Sequence, residues 1–448
     1  MDESHLLLHE QTLHVFVGKL EIANAMLKRL VKPELREKDG VSEINLVPKK
    51  LKYAFKRESL DEAINALESW QRISDPSWFL VLKMADRQLD AELALDNGKT
   101  AAPIPSALAI RAGKQENNNA TGITLSAAAL SEMVISRIRF SDATIAQKAN
   151  STERSTYILD SITTPEANYY MMKKNIRDLA RRLQHTEPQT FGLLSCKGFV
   201  TEKTGELDGM RAVFTMVFRT PQGLTEPRSL RDHLIATRSP GSLSHRFDIA
   251  RQLANAISYV HTFGFVHKNV RPEAVLGFSN SETASPSVFL VGFDNFRKEE
   301  GRTQRLGDDT FEKNLYRHAS RYGVSPESEY IMQHDIYSLG VCLLEVGLWQ
   351  SFVEYDSQDE NPRPSTLLDL PVNPSTEQIK QYLFTSAKED FIKMARSQLP
   401  ECMGTKYAEV VETCLTCLDP ENSDFGDQTE FEDEDGIRIG VRYIEKVS

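Results

Sequence analysis

The sequence predicts an α+β chain in which an N-terminal helical bundle precedes a two-lobe domain, strand-rich first and helix-rich after. Three observations predict it. Residues 1–96 repeat apolar side chains at helical spacing, residues 97–128 are small, polar and aperiodic, and from about residue 132 short apolar runs take over. The boundaries that follow are a bundle at 1–96, a linker at 97–128, a small lobe at about 129–220 and a large lobe at about 221–448.

In the first segment, Leu6, Leu13, Phe16, Val17, Leu20, Met26, Leu27 and Leu30 form one stripe over residues 3–31, stopped near Pro33. A second helix is predicted from Lys50 to Arg72, burying Phe55, Leu60, Ile64, Leu67 and Trp70. A third opens with Ser74 or Asp75 as cap and Pro76 at the first helical position, and ends before Asn97-Gly98. Each stripe needs a partner to cover it, so three of them read as a bundle.

Beyond the linker, Met133–Phe140 and Ala143–Gln147 read as a hairpin and Thr156–Ile162 as a third strand. A helix opening at Thr164-Pro165 carries Tyr169, Met172, Ile176, Leu179 and Leu183 on one side. Gly192–Val200 and Ala212–Phe218 follow as strands. Helices are then expected at Pro227–Ile235, Ser244–Thr262, His334–Trp349, Glu377–Leu399, Lys406–Leu418 and Ile437–Val447. The segment from Asp419 to Gly436 holds nine carboxylates and no Lys or Arg, the composition of a solvated loop.

Bulk properties narrow the function classes. A net charge of −11 disfavours nucleic acid as a partner. Five cysteines in 448 residues do not make a disulfide framework, and Cys414-x-x-Cys417 reads as helix core. Neither a secretory signal nor a run of about 18 apolar residues is read, and the expected location is cytoplasmic. Lys49, Lys50, Lys52, Lys56 and Arg57 form a basic cluster suited to anionic lipid heads.

The chemistry-bearing stretch is Ser258–Arg297. It contains HKNVRPEAVL from His267 and an apolar strand ending Val291-Gly-Phe-Asp294, and DIYSLG follows at Asp335–Gly340. In order and spacing these resemble the eukaryotic protein kinases, with their H-R-D-L-K-P-E-N catalytic loop, D-F-G turn and buried helix. The resemblance implies a two-lobe kinase-like domain. It also implies that His267 and Phe293 pack between the lobes while Asp335 holds the catalytic-loop backbone.

The residues that would do the chemistry differ. Asn269 stands at the catalytic Asp position, Ala274 at the second-metal Asn and Gly292 at the metal-binding Asp. An amide is not a base at neutral pH, and neither a methyl group nor a hydrogen ligates magnesium. No G-x-G-x-x-G precedes the first strands, and Thr156–Ile162 holds no lysine for the phosphates.

The expectation is therefore a catalytically inactive kinase-like protein, a pseudokinase, that is not an enzyme and has no resident cofactor. The alternative is a divergent ATP-binding Ser/Thr kinase in which Lys148 meets the phosphates, opposite Glu166, and Asp294 meets magnesium. In layout the chain also resembles fungal kinase-like proteins associated with HeLo-type and prion-inhibition helical domains, through KKLKYAFKRESLDEAINALESW at 49–70. Residues 1–96 are short for a complete HeLo domain. That resemblance implies a signalling or cell-death switch, protein partners, self-association through the bundle and peripheral contact with anionic membrane.

Overall fold

The computed structural model describes residues 31–38, 41–48, 122–148, 156–204, 211–236, 241–280, 286–293, 296–298, 310–322, 330–355 and 361–422. The chain divides into two compact units, Met1–Trp78 and Phe79–Ser448. In the first, β1 (Val31–Lys38) and β2 (Val41–Pro48) pair as an antiparallel hairpin between two of the predicted helices. The three bundle helices lie outside the described residues, as do Asp294, the helix predicted at 437–447 and all of the acidic segment after Asn422.

The second unit opens with α1 (Ala128–Ser131), β3 (Met133–Arg137), β4 (Thr144–Lys148) and β5 (Thr156–Pro165). Helix α2 (Tyr169–Leu183), the short α3 (Pro188–Phe191), β6 (Cys196–Thr204) and β7 (Arg211–Arg219) complete the small lobe. The strands make one antiparallel sheet in the order β3-β4-β5-β7-β6. Alternation writes the sheet's sidedness into β5, where Ile162 and Thr164 point inward between exposed neighbours, while Ile158, Leu159 and Asp160 are buried in succession. Helix α2 buries Ile176, Leu179, Ala180 and Leu183, the stripe that the sequence spacing predicts. It starts at Tyr169 rather than at Pro165, because the strand continues to Pro165 and a 3₁₀ turn intervenes.

Residues 220–223 lead to the large lobe. It contains β8 (Leu224–Ser229), α4 (Leu230–Ala236), α5 (Leu243–Thr262), β9 (Phe265–Val266), β10 (Val275–Asn280), β11 (Ser287–Leu290) and β12 (Arg297–Lys298). After α6 (Phe311–Asn314) comes α7 (Met332–Leu348), then β13 (Val353–Tyr355) and β14 (Pro362–Pro364). Helices α8 (Thr376–Thr385), α9 (Ala387–Ser397), α10 (Leu399–Met403) and α11 (Thr405–Leu415) close the lobe.

The nearly all-apolar α7 is buried from Met332 to Gly347 and ends at Trp349, whose φ of 52° is a left-handed cap. Gly340 permits α11 to approach it, since a Cβ there would sit 2.9 Å from Cys414 Cβ. Cys414 and Cys417 are both buried, in keeping with their reading as core. The single helix expected over Glu377–Leu399 is two, broken at Ser386, where the Thr385 hydroxyl turns back to Gln381 O and Ser386 leaves helical geometry.

Candidate functional site between the lobes

The site is built on the segment that joins α5 to β11. Asp335, on α7 and fully buried, accepts the backbone N–H of His267 at 2.7 Å and of Lys268 at 2.9 Å. Those two bonds fix the loop, and Lys268 takes φ +66° to make them. His261 Nε2 and the Tyr330 hydroxyl reach the same carboxylate at 3.0 and 2.6 Å. Burial pushes the Asp335 carboxyl upward, but the hydrogen bonds and positive charge around it prevail and hold it at about 2. His267 is the reverse case: burial outweighs the attraction of Asp335 and lowers it to about 4, so the ring is neutral. Its ring packs on Phe293 at 4.7 Å, forming the column between the lobes that the kinase resemblance implies.

A second buried cluster anchors the other end of the loop. Arg231, with no exposed surface, donates to Glu273 Oε1 at 3.0 Å, to Glu345 Oε1 at 2.6 Å and to the Tyr316 hydroxyl. Burial opposes ionisation of both carboxyls. Beside Arg231 and Arg271, Glu273 is nonetheless held below its ordinary range, whereas burial keeps Glu345 above it. Tyr316, in the segment YRHAS, is therefore a core residue of this cluster.

Asn269, Ala274 and Gly292 meet at the centre. The Asn269 Nδ2 donates to Gly292 O at 3.0 Å, and its Oδ1 accepts Arg271 Nε at 2.8 Å. The two partners settle the orientation of the amide, because only the nitrogen can face a carbonyl and only the oxygen a guanidinium. A Cβ on Gly292 would lie 2.9 Å from Ala274 Cβ and 3.0 Å from Asn269 Nδ2. The turn is packed directly onto the catalytic loop.

From the small lobe, Asp160 grips the same turn. It is 1% exposed, and its Oδ2 accepts the backbone N–H of Gly292 and of Phe293, both at 2.9 Å. Asp160 follows Tyr157-Ile-Leu on the third strand of the sheet, the strand that carries the lysine of V-A-I-K in the family. The absence of a lysine from this strand is legible in the sequence, and the structure shows that its buried charged residue is an acid.

The turn between β3 and β4, where the family's glycine-rich loop lies, also descends onto the large lobe. Ser141 Oγ donates to Glu273 O at 2.8 Å, Arg271 Nη2 to Asp142 Oδ2 at 2.7 Å, and Ser229 Oγ to Arg139 O at 2.7 Å. Phe140, at φ +52°, packs its ring 4.3 Å from that of Tyr355. A cavity of about 590 Å³ remains beside this turn, lined among others by Arg137, Arg139, Asp142, Arg271 and Glu273.

The other candidates lie apart from this centre. Lys148 is exposed at the end of β4, in register with Met133, and Glu166 pairs with Lys203 at 3.5 Å. Among the described residues no group of three His, Cys, Asp or Glu side chains is placed to hold a metal. The described donor set does not fit a family-type magnesium site: positions 274 and 292 offer no side-chain oxygen, and Asp160 accepts from backbone amides. No helix of the described residues is long and apolar enough to cross a membrane.

A five-stranded lobe with α2 and the short α3 between β5 and β6, a helical lobe and a catalytic-type loop held by a buried aspartate define a protein-kinase-like fold. No family model matches the sequence. Over 205 residues, 41% of this chain, it is 27% identical to the protein named "Probable serine/threonine-protein kinase FMP48" of Saccharomyces cerevisiae. Over 113 residues, 23% of the chain, it is 34% identical to "Eukaryotic translation initiation factor 2-alpha kinase 1" of Rattus norvegicus. The aligned regions span about half (51%) of the yeast protein and 17% of the rat protein. These relatives correct the expectation of a chain that is not an enzyme, since both are named as protein kinases.

Proposed function

We propose that this chain is a divergent protein kinase of the serine/threonine type that takes a nucleoside triphosphate between its lobes. The observation that carries the proposal is the Asp335 hinge. It holds the loop from His267 by two backbone hydrogen bonds, and in the order of residues Arg271 falls at the lysine of H-R-D-L-K-P-E-N. Phosphoryl transfer is chiefly positioning and charge neutralisation, and Arg271 supplies a fixed cation where phosphate charge develops. Asn269 cannot take the hydroxyl proton. A general base contributes about 10²–10⁴ in rate. Turnover in this chain is therefore expected to lie below the roughly 1–100 s⁻¹ usual for kinases by at least that factor, since the family's metal ligands at 274 and 292 are absent as well.

The test is transfer of the γ-phosphoryl group of labelled ATP by the full chain to serine- and threonine-containing protein, with Arg271→Ala alongside. Transfer above background that falls at least tenfold in the variant supports the proposal; transfer that is absent, or indifferent to Arg271, refutes it. Output through residues 1–96, by self-association or contact with anionic lipid, belongs to the same proposal and rests on the basic cluster at 49–57. Co-sedimentation of the full chain with phosphatidylserine vesicles, set against neutral vesicles, checks it.

A further inference from the structure

We propose that the cleft is gated by its own chain, with Asp160 as the clamp and the β3–β4 turn as the latch. Gly292 is held from both lobes at once. The small lobe takes its N–H through Asp160, and the large lobe takes its C=O through the Asn269 amide. Phe293 N–H goes to the same Asp160 oxygen. A buried carboxylate accepting two backbone donors makes charge-assisted bonds, roughly twice as strong as neutral ones. Beside the clamp, Ser141 and Asp142 tie the tip of the β3–β4 turn to Glu273 and Arg271.

These contacts lie where a triphosphate would have to run: over Arg271, beneath the β3–β4 turn and in front of residue 292. Nucleotide entry therefore requires both contacts to yield. The two differ in cost. Asp142 is 71% exposed, so its pair with Arg271 is solvent-screened and opens readily, whereas Asp160 is buried. The latch lifts first and the clamp controls the remainder.

The gate rests on the kinase proposal for the identity of the ligand, but its own test does not require phosphotransfer. Hydrogen exchange at the amides of Gly292 and Phe293 is followed in the full chain for wild type, Asp160→Ala, Asp160→Asn and Asp142→Ala. Equilibrium binding of a fluorescent ATP analogue is measured on the same samples. Asp160→Ala is expected to speed exchange at both amides about tenfold or more and to tighten nucleotide binding by a similar factor. Asp160→Asn, which keeps an acceptor without the charge, falls between. Asp142→Ala, on the surface, folds as wild type and tightens binding by about twofold to fivefold without changing exchange at Gly292. Unchanged exchange in Asp160→Ala overturns the clamp. Faster exchange with unchanged nucleotide affinity overturns the gate. Faster exchange and tighter binding with no phosphotransfer in any variant leaves the gate standing and removes the kinase activity instead.

Discussion

Restoring the family's aspartate at Gly292 is the most direct perturbation of this site, and the packing around it sets the result. Gly292 has φ +81°, where a non-glycine residue costs about 1–2 kcal/mol, with Asp near the lower end. The added Cβ lies 2.9 Å from Ala274 Cβ, a contact that does not occur without movement, and overpacking of this kind costs about 1–3 kcal/mol. The new carboxylate also shares its residue with the N–H that Asp160 holds, so like charges meet in a buried place. Gly292→Asp is therefore expected to destabilise the fold by about 2–4 kcal/mol, a large part of a typical stability of about 5–15 kcal/mol. Thermal unfolding of the full chain reads this as a clear fall in Tm. Ala274→Gly removes the obstructing methyl, so the double variant should recover about 1–2 kcal/mol of the loss, a coupling that independent sites do not show. If Gly292→Asp unfolds at the wild-type temperature, or if Ala274→Gly adds its own loss with no recovery, the turn is not packed on the catalytic loop as described.

Two further outcomes follow from the buried charges. Arg231→Met leaves Glu273 and Glu345 buried without their shared cation and should cost about 3–5 kcal/mol in urea unfolding; adding Glu345→Gln should return part of it, since burial already disfavours that carboxylate's charged form. For pH, burial lowers His267 to about 4 and His334 to about 3. Both fold as neutral rings. As pH falls below about 6.5 the unfolded chain binds protons that the folded chain refuses, and each ring contributes a decline of up to about 1.4 kcal/mol per pH unit until its folded value is reached. Asp335, held at about 2, adds a separate loss as pH falls from the ordinary carboxylate range toward 2. Denaturation midpoints measured from pH 7.5 to 4 should fall monotonically, and a midpoint rising between pH 6.5 and 5 would contradict the neutral assignment.

Much of the fold is legible in the sequence because its signals are local. Alternation along Thr156–Pro165, the stripe on Tyr169–Leu183 and the apolar run at Met332–Leu348 each state their own burial. The break at Ser386 is not stated that way, since the pattern on either side remains helical. The site is legible only by position. Asn269, Ala274 and Gly292 are found by spacing, but their mutual contact is a property of three segments brought together and no single segment announces it. Asp160 is not legible as a site residue, because its partners, the amides of Gly292 and Phe293, lie more than 130 residues away and no local pattern marks it.

The departures from the family pattern fit one another, and that bears on how they are understood. Each alone reads as a lost function. Together they make complementary contacts: the amide at 269 donates to the carbonyl of 292, which a carboxylate there could not do. The methyl at 274 and the hydrogen at 292 let the two backbones approach, and Asp160 supplies acceptors for amides that the closed turn would otherwise bury unpaired. The N–H and C=O of Gly292 and the N–H of Phe293 each have a partner, drawn from both lobes. On the proposed gate, any one family residue put back into this centre has to break these contacts before it can act.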